Sequence, residues 1–203
     1  MTTDLKTVDG VRERVLEAAC ELFSSRGINS TGVDLVSEAA GVSKRSLYQR
    51  FPSKDHLIAE YLPRATERFL EGLIPAADSG LLPTENILAV FSATQRKSGS
   101  RDFHGCPALK AAAEISDPEH PVRGIAVSYK EALLGYFTQQ AQAANAVDPC
   151  LLAEQLAVVF DGALSYSSVR NQSFPDSVLI TVRTLLSAQG LEVPTVSDEG
   201  SDR

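Results

Sequence analysis

The sequence predicts an all-α protein, and three observations support that fold class. Apolar residues recur at spacings of three and four along most of the 203 residues, which is the period of amphipathic helices. Glycine and proline separate these segments, and the sequence lacks the alternation of polar and apolar residues that is typical of strands. A hydrophobic content of 43% is sufficient for the cores of one small and one larger helical domain.

The first predicted helix ends at Gly27 and has one apolar face. The residues of this face recur every three or four positions: Val11, Val15, Ala18, Ala19, Leu22 and Phe23. A second, short helix is predicted over 33–40, with Thr31 or Gly32 as its N-cap. Gly41 can then adopt the left-handed backbone conformation that ends this helix.

A third helix is predicted from Ser43, which can cap it, to Pro52, which ends it. Two helices joined by a three-residue turn that contains glycine form the helix-turn-helix unit, whose second helix enters the major groove of DNA. Residues 41–57 also carry four cationic side chains and one acid in a chain with a net charge of −7. A local basic cluster in an acidic protein indicates a contact with nucleic acid.

The third helix has a predictable orientation. Leu47 and Phe51 are four residues apart and must share its buried face. At 100° per residue, Arg45 and Gln49 point most directly away from that face, towards the base edges. Three flanking side chains are expected nearer the groove walls, where they can contact phosphates: Lys44, Ser46 and Tyr48.

Ser53 is predicted to cap the next helix, with Lys54 in its first turn. Free N–H groups and the helix dipole favour a phosphate there. Pro63 either kinks this helix or separates it from a segment over 64–74. Further helices are predicted at about 84–97, 107–115, 121–145, 148–170 and 175–189.

Composition excludes several classes of function. No apolar run approaches 18 residues and the first ten residues are polar, so we expect a cytoplasmic protein without a membrane partner. Cys20, Cys106 and Cys150 are odd in number and lack the spacing of a disulfide framework or a structural zinc site. The sequence contains no catalytic motif, and we therefore expect no enzyme activity, no cofactor and no metal.

Residues 11–62, about a quarter of the chain, resemble the N-terminal domain of the TetR family of bacterial one-component transcriptional regulators. The matching residues are Glu21-Leu22-Phe23, Gly27, Thr31, Ala40-Gly41-Val42-Ser43, Leu47-Tyr48, Phe51 and Ser53-Lys54-Asp55-His56-Leu57. By this resemblance, Thr31, Lys44, Tyr48 and Lys54 fall at positions that contact the DNA backbone, and 44–49 at the base-reading surface. The predicted DNA-binding residues are therefore Thr31, Ser43, Lys44, Arg45, Ser46, Tyr48, Gln49 and Lys54.

The chain departs from the family pattern at a few positions. Arg45 stands where a small residue is usual, Ser37 replaces a common alanine, and Gln49 and Arg50 replace more usual choices. These departures concern the operator sequence and leave the fold prediction unchanged.

Segment 151–166 has no wide polar face, and segment 178–186 has an apolar stripe. Together they predict cover by a second copy of the chain. The resemblance implies the same, since the last two helices of the family pair as a four-helix bundle with their two-fold mates. The predicted domains are a DNA-binding domain over 1–56, an effector-binding and dimerisation domain over 57–191, and a disordered tail over 192–203.

The resemblance also implies a small-molecule pocket among the middle helices. Its predicted lining residues are Phe69, Phe91, Cys106, Tyr136, Phe160 and Tyr166. The segment 104–123 resembles a Gly-Cys-Pro, Ala-Ala-Glu, His-Pro pattern found in a subset of the family, to which we assign no ligand. Cys106 as a redox sensor is a separate hypothesis.

The sequence therefore predicts a homodimeric repressor of transcription that binds an inverted-repeat operator in double-stranded DNA. An unidentified small-molecule effector is expected to release it. The alternatives are a helix-turn-helix protein without such an effector, or an activator.

Overall fold

The computed structural model describes residues 3–193, with side chains from residue 10 onward. Nine helices and no strand lie in this range, which confirms the all-α fold class. The helices are α1 (Thr3–Arg26), α2 (Val33–Ala39), α3 (Lys44–Tyr48), α4 (Lys54–Glu71), α5 (Pro83–Ser98), α6 (Pro107–Glu114), α7 (Pro121–Ala143), α8 (Pro149–Arg170) and α9 (Ser177–Ala188). From α5 onward, each predicted end lies within two residues of the observed one. The predicted tail, 192–203, lies almost entirely outside the described residues.

The turns on either side of α2 depend on two glycines. Gly27 has a φ of +91° and Gly41 a φ of +63°, so both adopt the left-handed conformation that side chains disfavour. Gly41 ends α2 as predicted, and the N–H of Val42 donates to the carbonyl of Ser37 at 3.0 Å. The N-cap of α2 is Gly32, which supplies no side-chain hydrogen bond.

The chain divides into two compact units that differ from the predicted domains. The first comprises residues up to Leu70 together with His104–Lys130, and the second comprises Glu71–Phe103 and the chain from Glu131 onward. The predicted boundary after residue 56 is therefore displaced to the end of α4. The reason is that α4 packs on α1, where the rings of Phe23 and Tyr61 meet edge to face at 5.1 Å.

Pro63 does not split α4, which continues from Lys54 to Glu71. A proline inside a helix lacks an N–H and displaces the carbonyl four residues earlier. The hydroxyl of Thr66 donates to the carbonyls of Leu62 at 2.8 Å and Pro63 at 2.9 Å, which adds two side-chain hydrogen bonds next to the proline. Leu62 and Phe69, on either side of Pro63, are buried, and this packing favours one continuous helix.

The second unit has an aromatic core. Phe91 of α5, Phe137 of α7 and Phe160 of α8 are all fully buried. Phe91 stacks on Phe137 with ring centroids 5.9 Å apart and meets Phe160 edge to face at 5.6 Å. Helix α9 packs on both α5 and α8. Within residues 3–193, no helix combines the length and apolar character that crossing a bilayer requires.

Candidate nucleic-acid interface

Helix α3 is fixed by a cap at its start and by two buried side chains below it. The hydroxyl of Ser43 accepts a hydrogen bond from the N–H of Ser46 at 3.1 Å, which confirms the predicted cap. Leu47 and Phe51 are both 0% exposed. Because these two side chains define the inner face, the outward face of α3 is determined as well.

The third helix ends earlier than predicted. Its last residue is Tyr48, with Gln49 as C-cap, whereas the sequence placed the end at Pro52. The N–H of Arg50 donates to the carbonyl of Leu47 at 2.9 Å, three residues back, and this spacing tightens the turn before the proline.

The two side chains predicted to face bases are brought together on one exposed surface. Arg45 and Gln49 are both exposed, and their separation of four residues places them on the same side of α3. Tyr48 is 40% exposed beside them. The geometry is therefore compatible with the predicted roles, and contact with bases stays a prediction.

Lys44 is exposed but already has a partner. Its ammonium lies 2.7 Å from a carboxylate oxygen of Asp34 on α2. This hydrogen bond raises the pKa of Lys44 above its ordinary value, so the side chain remains charged at neutral pH. A DNA phosphate at this position would compete with Asp34 for the ammonium.

Arg50 is a residue whose role the sequence reasoning missed. Its guanidinium Nη1 donates to the carbonyl of Ser46 at 2.9 Å and to the hydroxyl of Ser46 at 3.1 Å. Arg50 therefore stabilises the C-terminal half of α3 and orients the Ser46 hydroxyl. The spacing of four residues was the available signal, although it does not identify which partner an arginine will bind.

The expected DNA contact of Thr31 does not fit this structure. Its side chain is 0% exposed, and its hydroxyl donates to the carbonyl of Gly27 at 2.7 Å. A phosphate cannot reach a hydroxyl that is buried and engaged in the protein interior. Thr31 instead closes the turn between α1 and α2.

Lys54 occupies the predicted position at the start of α4 but faces the protein. Ser53 caps this helix through a hydrogen bond from the N–H of His56 at 3.2 Å, as predicted. The ammonium of Lys54 is half-buried and donates to the carbonyl of Ile28 at 2.6 Å. A phosphate contact would require Lys54 to leave this carbonyl.

The residues predicted to line an effector pocket are divided between the two units. Phe69 and Cys106 are buried in the first unit, where Cys106 is the N-cap residue of α6. Four others lie in the second unit: Phe91, Tyr136, Phe160 and Tyr166. Phe91 and Phe160 are fully buried core residues. Tyr136 is half-buried, and this burial raises the pKa of its hydroxyl to about 12. The guanidinium of Arg170 covers the ring of Tyr166 at 3.9 Å from its centroid.

The first unit contains an open groove of about 300 Å³ that the sequence did not predict. It lies between the α1–α2 turn, the start of α4 and the loop that follows α6. Its polar lining includes Asn29, Lys54, Glu114, Asp117 and His120. Among the described residues, no three His, Cys, Asp or Glu side chains are grouped so that they could hold a metal ion.

Comparison with known proteins assigns the family. Residues 15–61 match the family model for bacterial regulatory proteins of the tetR family. A solved structure described as a TetR transcriptional regulator from Streptomyces avermitilis MA-4680 is 40% identical, with a TM-score of 0.83, and the match covers 90% of this chain and 99% of that chain. The chain belongs to the TetR family.

Other TetR-family relatives are similar to this protein over most of its length. SCO4454 from Streptomyces coelicolor is 28% identical, with a TM-score of 0.79 and coverage of 89% of this chain and 96% of that chain. The transcriptional regulator YjdC of Escherichia coli is 25% identical over 170 residues, which is 82% of this chain and 88% of YjdC. The function of this TetR-family protein is DNA-binding regulation of transcription, and its relatives are regulators and not enzymes.

Removing the cap of α3 should measurably destabilise the protein. Ser43→Ala deletes the hydroxyl that accepts the N–H of Ser46, and loss of such a cap costs about 1 kcal/mol. Urea denaturation followed by circular dichroism measures the free energy of unfolding. Ser30→Ala removes an exposed hydroxyl from the neighbouring turn and serves as a control that should leave stability unchanged. Equal stability of the two variants would contradict the assigned cap.

Proposed function

We propose that this protein is a homodimeric repressor that occupies an inverted-repeat operator through α3 and is released by a small molecule. The observation that supports it most directly is the presentation of Arg45 and Gln49 on the face of α3 opposite buried Leu47 and Phe51. Arginine pairs bidentately with guanine and glutamine with adenine in the major groove, so this pair can distinguish sequences.

The charge distribution supports binding at the same surface. Residues 41–54 carry four cationic side chains and no acid, whereas the whole chain has a net charge of −7. An acidic body is repelled by the DNA backbone, and the basic segment is attracted to it, so the charges orient the protein on DNA. Affinity for random sequences should consequently be moderate.

Substitutions in α3 should separate base reading from phosphate contact. Arg45→Ala and Gln49→Ala should each relax the preference at particular operator positions, because each removes side-chain groups that can hydrogen-bond to a base edge. Lys44→Ala should weaken binding to all sequences about equally. It should also reduce the slope of log K against log salt concentration by about one, because one phosphate contact is lost. Binding to a library of duplexes at several salt concentrations measures both effects.

The control for this experiment is Arg26→Ala, which removes one exposed positive charge at the end of α1. It should leave base preference unchanged. If neither Arg45→Ala nor Gln49→Ala alters base preference, the proposed reading face of α3 is wrong.

Exposed faces of α8 and α9 support dimerisation through the last two helices. Val158 is 72% exposed and Val169 is 79% exposed. Val158 follows Leu151 by seven residues and Val169 follows Val158 by eleven, and both spacings are close to whole numbers of helical turns, so the three lie on one side of α8. Gly162 lies in the same stripe, and a Cβ at this position would meet no atom within 4 Å. Ile180 of α9 is 62% exposed. Apolar stripes of this kind pack efficiently against a second copy, as in a four-helix bundle.

Gly162→Arg should disrupt this dimer. A long cationic side chain in the stripe would clash with a closely packed helix and would bring a charge into an apolar contact. Sedimentation should show monomers that retain helical circular dichroism and lose most operator affinity. The matched control is Gly135→Arg, an exposed glycine of α7 with equal open space around its Cβ. Dimers of normal affinity in the Gly162 variant would place the interface elsewhere.

The aromatic interior of the second unit supports binding of a small, largely apolar effector. Phe91 and Phe160 belong to a cluster of touching rings, and half-buried Tyr136 lies 5.9 Å from the ring of Phe137 in the same cluster. For the ligand to release DNA, it must bind the DNA-incompetent arrangement more tightly, and a tenfold loss of operator affinity requires about 1.4 kcal/mol of coupling.

A thermal-shift screen of apolar compounds should identify ligands that stabilise the protein and lower operator occupancy. Tyr136→Ala should reduce the rise in melting temperature that the ligand causes, while ligand-free operator binding stays within about twofold of wild type. Tyr136→Phe should retain most of that rise because the ring remains.

In transcription with purified components, the free protein should reduce the amount of transcript, and the ligand should restore it. Increased transcript would identify an activator. Absence of any stabilising compound, with no retained ligand in mass spectrometry, would favour a regulator without an effector.

A further inference from the structure

The segment with the Gly-Cys-Pro, Ala-Ala-Glu, His-Pro pattern belongs to the first unit, together with the DNA-binding helices. Helix α6 begins after Cys106 with Pro107 and ends at Glu114. The guanidinium of Arg123 donates to the carbonyls of Ala112 at 3.0 Å and Ile115 at 3.1 Å, which fixes the C-terminal end of α6. The position of Glu114 is therefore well determined.

Glu114 contacts the turn between α1 and α2 through both its side chain and its backbone carbonyl. Its carboxylate accepts a hydrogen bond from the backbone N–H of Asn29 at 2.7 Å, and its backbone carbonyl accepts one from the side-chain amide of Asn29 at 2.8 Å. The same carboxylate covers Gly27, where a Cβ would lie only 3.0 Å from Oε1. Residues 85 positions apart in the chain are joined here.

Two backbone carbonyls of this turn also accept hydrogen bonds from side chains. The carbonyl of Ile28 accepts from Lys54, and the carbonyl of Gly27 accepts from the hydroxyl of Thr31. The turn leads directly into α2, whose N-cap, Gly32, has no side chain to stabilise the start of the helix. Since α2 packs on α3, the conformation of this turn influences the orientation of the helix that reads DNA.

We propose that Glu114 is a positioning residue for DNA binding, which holds the α1–α2 turn and through it the orientation of α2 and α3. It acts through Asn29 and Gly27 and does not itself contact DNA. The inference rests on the DNA-binding activity of the family and on sequence-specific reading by α3, and it is independent of the proposed effector.

Whether removal of Glu114 raises or lowers DNA affinity distinguishes a positioning role from a simple effect of charge. Glu114 carries a negative charge, so its removal should strengthen attraction to DNA if long-range charge were its only influence. Loss of the Asn29 contact should instead allow the turn to adopt other conformations and weaken specific binding. The two explanations predict opposite signs for the same variant.

The experiment uses the full chain and an operator duplex selected from random sequences by the wild-type protein, with a scrambled duplex of equal length as reference. Glu114→Ala should weaken operator binding about tenfold while binding to the scrambled duplex changes little. Glu114→Gln should stay within about threefold of wild type, because its amide oxygen can still accept from Asn29. Glu119→Ala removes an exposed acid from the following loop and should bind DNA as tightly as wild type or slightly more tightly.

Circular dichroism and thermal melting establish that each variant is folded at the assay temperature. Operator affinity of Glu114→Ala equal to or above that of wild type would overturn the proposal. So would an equal proportional loss on both duplexes, which indicates a smaller folded fraction, or a Glu114→Gln variant as impaired as Glu114→Ala. If wild-type protein selects no sequence at all, sequence-specific reading by α3 is itself wrong.

Discussion

Burial of Leu47 and Phe51 is the constraint on which the proposed interface depends. Both side chains are 0% exposed, and they can be buried together only if α3 adopts one orientation about its axis. That orientation leaves Arg45 and Gln49 exposed and places Ser46 within reach of Arg50. A helix of only five residues has little stability of its own. Its geometry therefore comes from these buried contacts and from the Ser43 cap.

Two lysines at the proposed interface have partners within the protein. Lys44 pairs with Asp34, and Lys54 binds the carbonyl of Ile28. An ion pair as exposed as this one contributes little to stability, so a phosphate can replace Asp34 at little cost. Lys54 is half-buried and contributes to the α1–α2 turn, so its release would also remove a backbone contact.

The second unit has a different physical character. Its core consists of contacting aromatic rings, and its outer stripe on α8 carries exposed valines and a glycine. Large buried rings supply stability, whereas small residues on the outer stripe permit close approach of another helix. The aromatic core stabilises this unit, and the outer stripe is compatible with the proposed dimer.

The sequence by itself determined the order of the helices, the caps at Ser43 and Ser53, and the inner and outer faces of α3. These properties depend on residues within one or two helical turns, so spacing alone predicts them: Ser43 precedes Ser46 by three positions, and Leu47 precedes Phe51 by four. Pro63 was ambiguous because a proline removes one backbone hydrogen bond from a helix, and local spacing does not report whether burial of side chains on both sides, such as Leu62 and Phe69, outweighs that loss.

Only the tertiary structure decided the partners of Thr31, Lys54 and Glu114. Family position suggested phosphate contacts for the first two, but their polar atoms bind the carbonyls of Gly27 and Ile28. Glu114 meets Asn29 across 85 residues, and segment 104–130 joins the DNA-binding helices in one unit. Periodicity reports which face of a helix is buried, and it carries no information about which distant segment covers that face. Long-range packing alone brings such groups within hydrogen-bonding distance.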